Sequence, residues 1–167
     1  MSTERRPGKS VLIREAAPAD LPIVLEFRMG MMADVFKAEM GAPGDADSLR
    51  EANESWLAEH MGRDFAAWLA EVDGHPAGSA AVLWFPPPPG PRNPGGLEAY
   101  VLNVYTKPEF RRLGIARALM ARVVEVARAR GVNRIWLRAS SEGRPLYEDI
   151  GFGARNYLEL ALESRDR

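Results

Sequence analysis

The apolar positions of the chain fall into two patterns. Short runs rich in Val, Leu and aromatic residues predict β-strands, and longer stretches with an apolar residue every three or four positions predict amphipathic helices. Strands are predicted around residues 11–15, 65–72, 77–85, 97–106, 134–139 and 157–162. Helices are predicted from a cap at Asp20 to Gly41, from a cap at Ser48 through Met61, at 114–130 and at 145–150, with a loop at 41–47. This order predicts a single α/β (α+β) domain with a mixed sheet and about four helices.

Two kinds of connection set the directions of the predicted strands. Asp73-Gly74 lies between two apolar runs, which is a strong signal for a β-hairpin. Residues 86–96 (PPPPGPRNPGG) hold six of the 13 prolines, and we interpret them as a stiff loop between two antiparallel strands. The alternative is a polyproline ligand for another domain. The helix at 114–130 is a crossover between parallel strands, so the sheet is expected to be mixed but mostly antiparallel.

Composition excludes several kinds of site. The 167 residues include no cysteine, which excludes disulfide scaffolds, cysteine-ligated zinc, iron–sulfur clusters and thiol nucleophiles. His60 and His75 are too few for a histidine-rich metal site, so no metal is expected. The start MSTERRPGKS is polar, and no run approaches the ~20 apolar residues that span a bilayer. We therefore expect a cytoplasmic protein with a flexible N-terminus at 1–10, one domain at 11–162 and a tail at 163–167.

Charge is balanced overall but divided along the chain. The formal net charge is -1, which predicts no nucleic-acid partner. Residues 15–73 carry thirteen Asp or Glu against four Arg or Lys, whereas residues 107–144 carry ten Arg or Lys against three Glu. This division indicates an anionic ligand on the second half and a cationic substrate near the first. Solvated helix faces that differ in charge are the alternative.

The junction at residues 104–117, VYTKPEFRRLGIAR, predicts a phosphate-binding loop. It joins a predicted strand to a helix, and the first turn of a helix carries backbone N–H groups without partners and the positive end of the dipole. Gly114 and Ala116 leave room for a phosphate to approach the backbone, while Arg111, Arg112 and Arg117 add positive charge. The glycine pattern of dinucleotide-binding folds and the Walker motif are both absent. An ordinary strand–helix corner with surface arginines is the alternative.

A second motif follows the next predicted strand. Residues 146–152 read LYEDIGF, and with Arg111-x-x-Gly114-x-Ala116 they make the chain similar to the GNAT superfamily of acetyl-CoA-dependent N-acetyltransferases. The resemblance covers roughly residues 11–162. It implies a sheet whose strands at 97–106 and 134–139 splay apart around the pantothenyl arm of acetyl-CoA. It also implies pyrophosphate binding by the backbone at 112–117.

The resemblance implies a set of cofactor contacts and a general acid. The contacts fall on Val104, Tyr105, Thr106, Arg111, Arg112, Leu113, Gly114, Ile115, Ala116, Arg117 and Ser140. Ser140 replaces an asparagine that is frequent in the family, so its contact is expected to be weaker or mediated by water. Tyr147 matches the tyrosine that protonates the departing thiolate, which fits a hydroxyl whose ordinary pKa is near ~10. The alternative role for Tyr147 is packing on Phe152.

These features predict an N-acetyltransferase that moves acetyl from acetyl-CoA to a primary amine of a small molecule or peptide by direct attack. Candidate routes for the amine proton are Glu98 through water, Asn103 through water and, less directly, His75. Asn103, Met32 and Trp84 are candidate substrate contacts, and Met29 is a further apolar candidate.

Several alternatives stay open at this point. The acyl group or the acceptor could differ, or the domain could be a non-catalytic acyl-CoA-binding or protein-interaction module. A nucleotide-binding regulator is the weakest alternative. The leucines at 158, 160 and 162 could belong to a homodimer interface or to the core.

Overall fold

The sheet of the computed structural model has five strands in the order β1-β2-β3-β4-β5. The structure describes residues 10–36 and 43–155. The elements are β1 (Val11–Glu15), α1 (Leu21–Val35), α2 (Pro43–His60), β2 (Phe65–Val72), β3 (His75–Phe85), β4 (Glu98–Thr106), α3 (Ile115–Ala129), β5 (Arg134–Leu137) and α4 (Arg144–Ile150). Single turns of 3₁₀ helix lie at Pro18–Asp20 and Pro108–Phe110. The predicted mixed α/β fold is confirmed.

Strands β1 to β4 pair antiparallel, and β4 pairs with β5 in parallel. The β2–β3 turn consists of Asp73 and Gly74, both with positive φ (50° and 79°), as a tight two-residue hairpin of this twist requires. The proline-rich segment joins β3 to the antiparallel β4, so the loop interpretation is the one the structure supports. Helix α3 returns the chain from β4 to the parallel β5.

Alternation along β2 divides the core between the two faces of the sheet. Phe65 and Leu69 pack with buried residues of α1 and α2, including Phe27 and Leu57. Trp68 lies on the opposite face with the apolar stripe of α3. That stripe is Ile115, Leu119, Met120, Val123 and Ala127, all buried. The sheet therefore holds α1 and α2 on one side and α3 on the other.

Several predicted boundaries were wrong. Helix α1 ends at Val35, where Phe36 has left helical geometry (φ -113°, ψ 29°), rather than at Gly41. Helix α2 begins at Pro43, because proline with its fixed φ suits a first turn, so Ser48 lies inside the helix instead of capping it. Asp20 does not cap α1 through its side chain, because its carboxylate accepts from the N–H of Ala17 and pairs with Arg14 at 2.7 Å.

Other expectations fall outside the described residues. They are the flexible N-terminus over most of its length, the last strand at 157–162 with its three leucines, and the tail at 163–167. Within residues 10–36 and 43–155, no helix has both the length and the apolar character needed to cross a bilayer.

The second half of β4 parts from β5. Pairing between these strands ends at Val101–Leu137, so Leu102–Thr106 continues without a β5 partner. The register with β3 shifts at the same point, where β4 has two residues, Asn103 and Val104, opposite one. Asn103 takes a left-handed conformation (φ 54°) that asparagine tolerates better than most residues. The bulge bends β4 away from β5 and opens a gap between them.

Candidate active site

A cavity of about 370 Å³ opens where β4 leaves β5. Its wall combines the end of α1, the last residues of β4, the loop and first turn of α3, and the start of α4. The residues that line it are Met31, Asp34, Val35, Val104, Tyr105, Thr106, Phe110, Arg111, Arg112, Gly114, Ile115, Ala116, Arg117, Ser140, Glu142, Gly143, Leu146 and Tyr147. Two sequence motifs that lie thirty residues apart therefore share one cavity.

The outer end of the cavity is formed by the start of α3. Gly114 precedes the helix with a φ of 76°, a left-handed conformation that favours glycine. A Cβ built at Gly114 would meet no atom within 4 Å, so open space lies against the backbone there. The N–H groups of the first turn lack intrahelical acceptors, and the helix dipole is positive at this end. This arrangement fits a diphosphate group.

Two of the three arginines at this end already have carboxylate partners. Arg111 donates from Nε to the carbonyl of Thr106 at 3.2 Å and pairs through Nη2 with Asp34 of α1. Arg117 pairs with Asp149 at 3.0 Å. These ion pairs are largely exposed, so a bound anion could compete for either arginine at small cost.

The inner wall of the cavity is the unpaired edge of β4. Thr106 presents a buried hydroxyl oxygen that meets no hydrogen-bond partner in the described part of the protein. Buried polar groups without partners are rare in folded proteins. An edge of this kind can pair with the amide groups of an extended ligand in the same way as with another strand. The pantothenyl arm of acetyl-CoA has such amides, so the residues present fit this cosubstrate.

Tyr147 lies on α4 and is 9% exposed. Its ring packs edge to face against Phe152, with centroids 5.9 Å apart. Burial raises the pKa of Tyr147, so its hydroxyl stays protonated at neutral pH and can act as a donor. The residue thus lines the cavity and packs on Phe152 at once, and the two roles that the sequence left open are compatible.

Ser140 lines the cavity just before α4, and its hydroxyl already takes part in a hydrogen bond within the protein. Its Oγ accepts a hydrogen bond from the N–H of Gly143 at 3.1 Å. The serine therefore orders the turn that leads into α4 and brings Tyr147 to the cavity. The hydroxyl keeps a second lone pair and a proton for other contacts.

Some predicted site residues lie away from the cavity. Glu98 is at the opposite end of β4, where its buried carboxylate pairs with Arg134 at 3.1 Å, and it does not line the cavity. His75 is exposed at the β2–β3 turn and its Nδ1 faces the carbonyl oxygen of Asp73. Leu113 is 45% exposed and lies outside the cavity wall.

Two predicted substrate contacts also lie elsewhere. Met32 is buried in the protein, whereas its neighbour Met31 lines the cavity. Trp84 faces the α3 side of the sheet, where the guanidinium of Arg130 stacks 4.3 Å from its ring centroid. Neither of the two side chains lines the cavity. Asn103 is buried beside Val104, and its Oδ1 accepts from Arg28 of α1 at 2.6 Å.

Three residues of α1 that line the cavity were not predicted from the sequence. Met31, Asp34 and Val35 face the cavity at spacings of three and four residues, which put them on one side of a helix. The periodicity was visible, but the orientation of that side depends on how α1 packs across β4. Within residues 10–36 and 43–155, no group of three His, Asp or Glu side chains is placed to hold a metal ion.

Comparison with known proteins identifies the family. The model of the acetyltransferase (GNAT) family matches residues 31–152, and the chain belongs to this family of acyltransferases. The resemblance seen in the two motifs is thereby confirmed.

Curated relatives match parts of the chain. It is 36% identical over 76 residues to the ribosomal protein bS18-alanine N-acetyltransferase of Salmonella typhimurium, covering 41% of this chain and 51% of that protein. It is 34% identical over 117 residues to the mycothiol acetyltransferase of Beutenbergia cavernae, covering 68% of this chain and 35% of that protein. The chain thus spans about half the length of the first relative and about a third of the second.

Solved structures match almost the whole chain. A GCN5-related N-acetyltransferase from Ralstonia eutropha JMP134 superposes with a TM-score of 0.80 at 24% identity, covering 92% of this chain and 99% of that chain. A predicted acetyltransferase from Clostridium acetobutylicum, solved with acetyl-CoA, gives a TM-score of 0.76 at 28% identity. This match covers 91% of this chain and 96% of that chain. The first likeness establishes the fold alone.

Proposed function

We propose that this protein is an N-acetyltransferase that moves the acetyl group of acetyl-CoA to a primary amine. One observation carries the proposal: the α3 N-terminus, the unpaired edge of β4 and the hydroxyl-bearing Tyr147 line one cavity. These are the parts needed to hold a diphosphate, to orient an extended arm and to protonate a leaving group. The relatives named for ribosomal protein alanine and for glucosamine 6-phosphate are N-acetyltransferases, which supports transfer to nitrogen.

The first turn of α3 binds the diphosphate of acetyl-CoA in this proposal. Backbone N–H groups at the start of α3 are expected to bind the diphosphate at the cavity end where Gly114 leaves open space. The edge of β4 from Val104 to Thr106 then holds the arm extended toward the interior. A bound thioester supplies an acetyl carbonyl that an amine can attack. Fixing both ends of the arm lowers the entropic barrier to reaction.

Transfer needs one proton donated and one removed. The neutral amine forms a C–N bond to the acetyl carbon as the C–S bond breaks, and the Tyr147 hydroxyl gives its proton to the sulfur. Nitrogen loses its extra proton to water, and the tyrosinate regains a proton from water. No covalent enzyme intermediate is involved, in keeping with the absence of cysteine. Positioned general acids of this kind contribute about 10²–10⁴-fold in rate.

Thiol release tests the proposal. Acetyl-CoA is incubated with the protein and a panel of primary amines, free coenzyme A is followed with a thiol reagent, and the acetylated amine is identified by mass. We expect release that depends on both protein and amine. Parallel assays with longer acyl thioesters test the acyl group.

The non-catalytic alternative makes a different prediction. A module that only binds acyl-CoA would give saturable acetyl-CoA binding by calorimetry without amine-dependent thiol release. Absence of acetyl-CoA binding would overturn both the transferase and the acyl-CoA-binding alternative.

A further inference from the structure

Arg28 occupies α1 one turn inward from the cavity. Met31 and Val35 line the cavity, and Arg28 precedes them at helical spacings of three and seven residues, so it lies on the same side of α1. Its Nη1 donates to Asn103 Oδ1 at 2.6 Å, and Asn103 is at the bulge next to Val104 of the cavity wall. Neither Arg28 nor Asn103 lines the cavity itself, and the contact with the bulge places the guanidinium next to Val104 at its inner wall.

The described partners of Arg28 are neutral. Besides Asn103, its Nε donates to the side-chain oxygen of Asn53 on α2. Asn53 is itself held by a hydrogen bond from its Nδ2 to the carbonyl of Leu49 at 2.7 Å. Within residues 10–36 and 43–155, no carboxylate lies within 4 Å of the guanidinium. Burial lowers the pKa of Arg28, the expected effect of removing a cation from water.

The acidic residues of α1 are paired elsewhere. Glu26 pairs with Lys107 at 3.1 Å, and Asp34 pairs with Arg111. These contacts tie the acidic half of the chain to its basic half. Because a partly buried cation without a counter-charge is destabilised, an anion that reaches Arg28 would be stabilised by it.

An aromatic pair lies beside this cation. Tyr100 of β4 lies near Arg28, since the negative charge of its ionised form would raise the pKa of Arg28 and oppose part of the effect of burial. The ring of Tyr100 packs against Trp136 of β5 with centroids 4.4 Å apart. The buried Nε1 of Trp136 has no hydrogen-bond partner among the described residues. An aromatic surface thus lies near the positive charge.

We propose, resting on the transferase function above, that Arg28 binds an anionic group of the acceptor, so that the preferred substrates are amines that also carry a carboxylate or a phosphate. The guanidinium is held by Asn53 and Asn103 in a fixed orientation. A fork of N–H donors in a fixed orientation matches the oxygens of either anion. The cationic acceptor that the acidic first half indicated is the alternative to this proposal.

Matched amine pairs test the proposal on the unmodified protein. Phenylalanine is compared with phenylalaninamide, and glucosamine 6-phosphate with glucosamine, by thiol release under identical conditions. The first pair tests the carboxylate and the second the phosphate. We expect the anionic member of at least one pair to have a kcat/KM about 10- to 100-fold higher, the range for hydrogen bonds to charged groups. Equal values, or better transfer to the uncharged members, would overturn the proposal.

Variants assign the preference to Arg28. In Arg28→Gln, the preference for the anionic member is expected to disappear through a higher KM, while acetyl-CoA binding is retained. Arg28→Lys keeps the charge but loses the fork and is expected to keep part of the preference. Arg50→Gln, an exposed arginine of α2, is the control and should keep all of it.

The outcomes separate this inference from the proposed function. If no amine of any kind is acetylated, the transferase proposal fails and this inference fails with it. If amines are acetylated without regard to their anionic groups, only the inference fails. Should Arg28→Gln not fold, the matched pairs on the unmodified protein still decide whether an anion is recognised.

Discussion

Asp34 and Arg111 form an ion pair across the outer end of the cavity, joining α1 to the loop before α3. Both side chains are about half exposed and both line the cavity. A carboxylate thus lies at the end of the site that is suited to a diphosphate, and it occupies an arginine of the phosphate motif. Anion binding and the contact between α1 and this loop are expected to oppose each other.

Replacing Asp34 by Asn should strengthen binding of coenzyme A. The substitution removes a negative charge beside the diphosphate and releases Arg111 for it. Because the pair is exposed to solvent, the gain should be modest, about two- to five-fold in Kd, and should shrink as salt is raised. Titration calorimetry at low and high salt measures both effects.

Glu51→Gln is the control for Asp34→Asn, since it removes an exposed carboxylate of α2 away from the cavity. It should leave the Kd for coenzyme A unchanged. Weaker binding by Asp34→Asn would instead show that the ion pair is needed to hold α1 as a wall of the site.

Replacing Ala116 by Glu should strongly weaken coenzyme A binding without loss of stability. Ala116 is in the first turn of α3 and lines the cavity. A carboxylate there would occupy the diphosphate position and repel it, with an expected increase in Kd of at least tenfold. The same carboxylate is favourable to the helix dipole, so the melting temperature should not fall.

Ala121→Glu introduces the same charge on an exposed position of α3, away from the cavity. It controls for the change in net charge and should bind coenzyme A normally. Equal loss of affinity in both variants would mean that the net charge of the protein, rather than the charge at the first turn of α3, determines coenzyme A binding.

Replacing Tyr147 by Phe should lower kcat while leaving the Kd for acetyl-CoA nearly unchanged. The variant keeps the packing on Phe152 and removes only the proton donor. A fall in kcat of about 10²-fold or more is expected for loss of a general acid. A fall in affinity with normal kcat would show that the hydroxyl serves binding alone.

The motifs could be located from the sequence because each depends on local chemistry. The strand, glycine and arginine pattern around Gly114 indicates a helix start with free N–H groups whatever surrounds it. The hairpin at Asp73-Gly74 is equally local, because its positive φ values restrict which residues can form it.

The inner part of the site could not be predicted because it depends on tertiary packing. The bulge at Asn103 shifts the alternation of β4, so the side that each later residue faces does not follow from counting. Trp84 and Glu98 were placed wrongly for a related reason. The sequence does not show which face of the sheet each helix covers, or that β5 supplies Arg134 to Glu98. A role for Arg28 could not be predicted from the sequence, since a single arginine in a helix is common.

Stability should fall in alkaline solution as the buried Tyr147 and the partly buried Tyr105 ionise. Burial raises the pKa of Tyr105 and Tyr147 above the ordinary value of 10.0. The unfolded chain therefore loses these protons at lower pH than the folded protein. Stability is fully present below about pH 10 and declines above it. Urea unfolding from pH 8 to 11 measures the free energy of unfolding. Tyr147→Phe should reduce its decline above pH 10, and an equally steep decline in this variant would contradict the prediction.

Replacing Gly78 by Ala should destabilise the protein and weaken the site, because β3 and β4 approach closely there. A Cβ at Gly78 would lie 2.6 Å from the backbone oxygen of Tyr105 and 3.1 Å from Ile115 Cγ2. The backbone cannot move aside as a flexible side chain could, so the end of β4 and the start of α3 must shift together. We expect a loss of about 1–3 kcal/mol in the free energy of unfolding and weaker coenzyme A binding. Gly90→Ala, where a Cβ meets no atom within 4 Å, should change neither. If Gly78→Ala has the same free energy of unfolding as the unmodified protein, β3 and β4 can move apart at lower cost than this spacing implies.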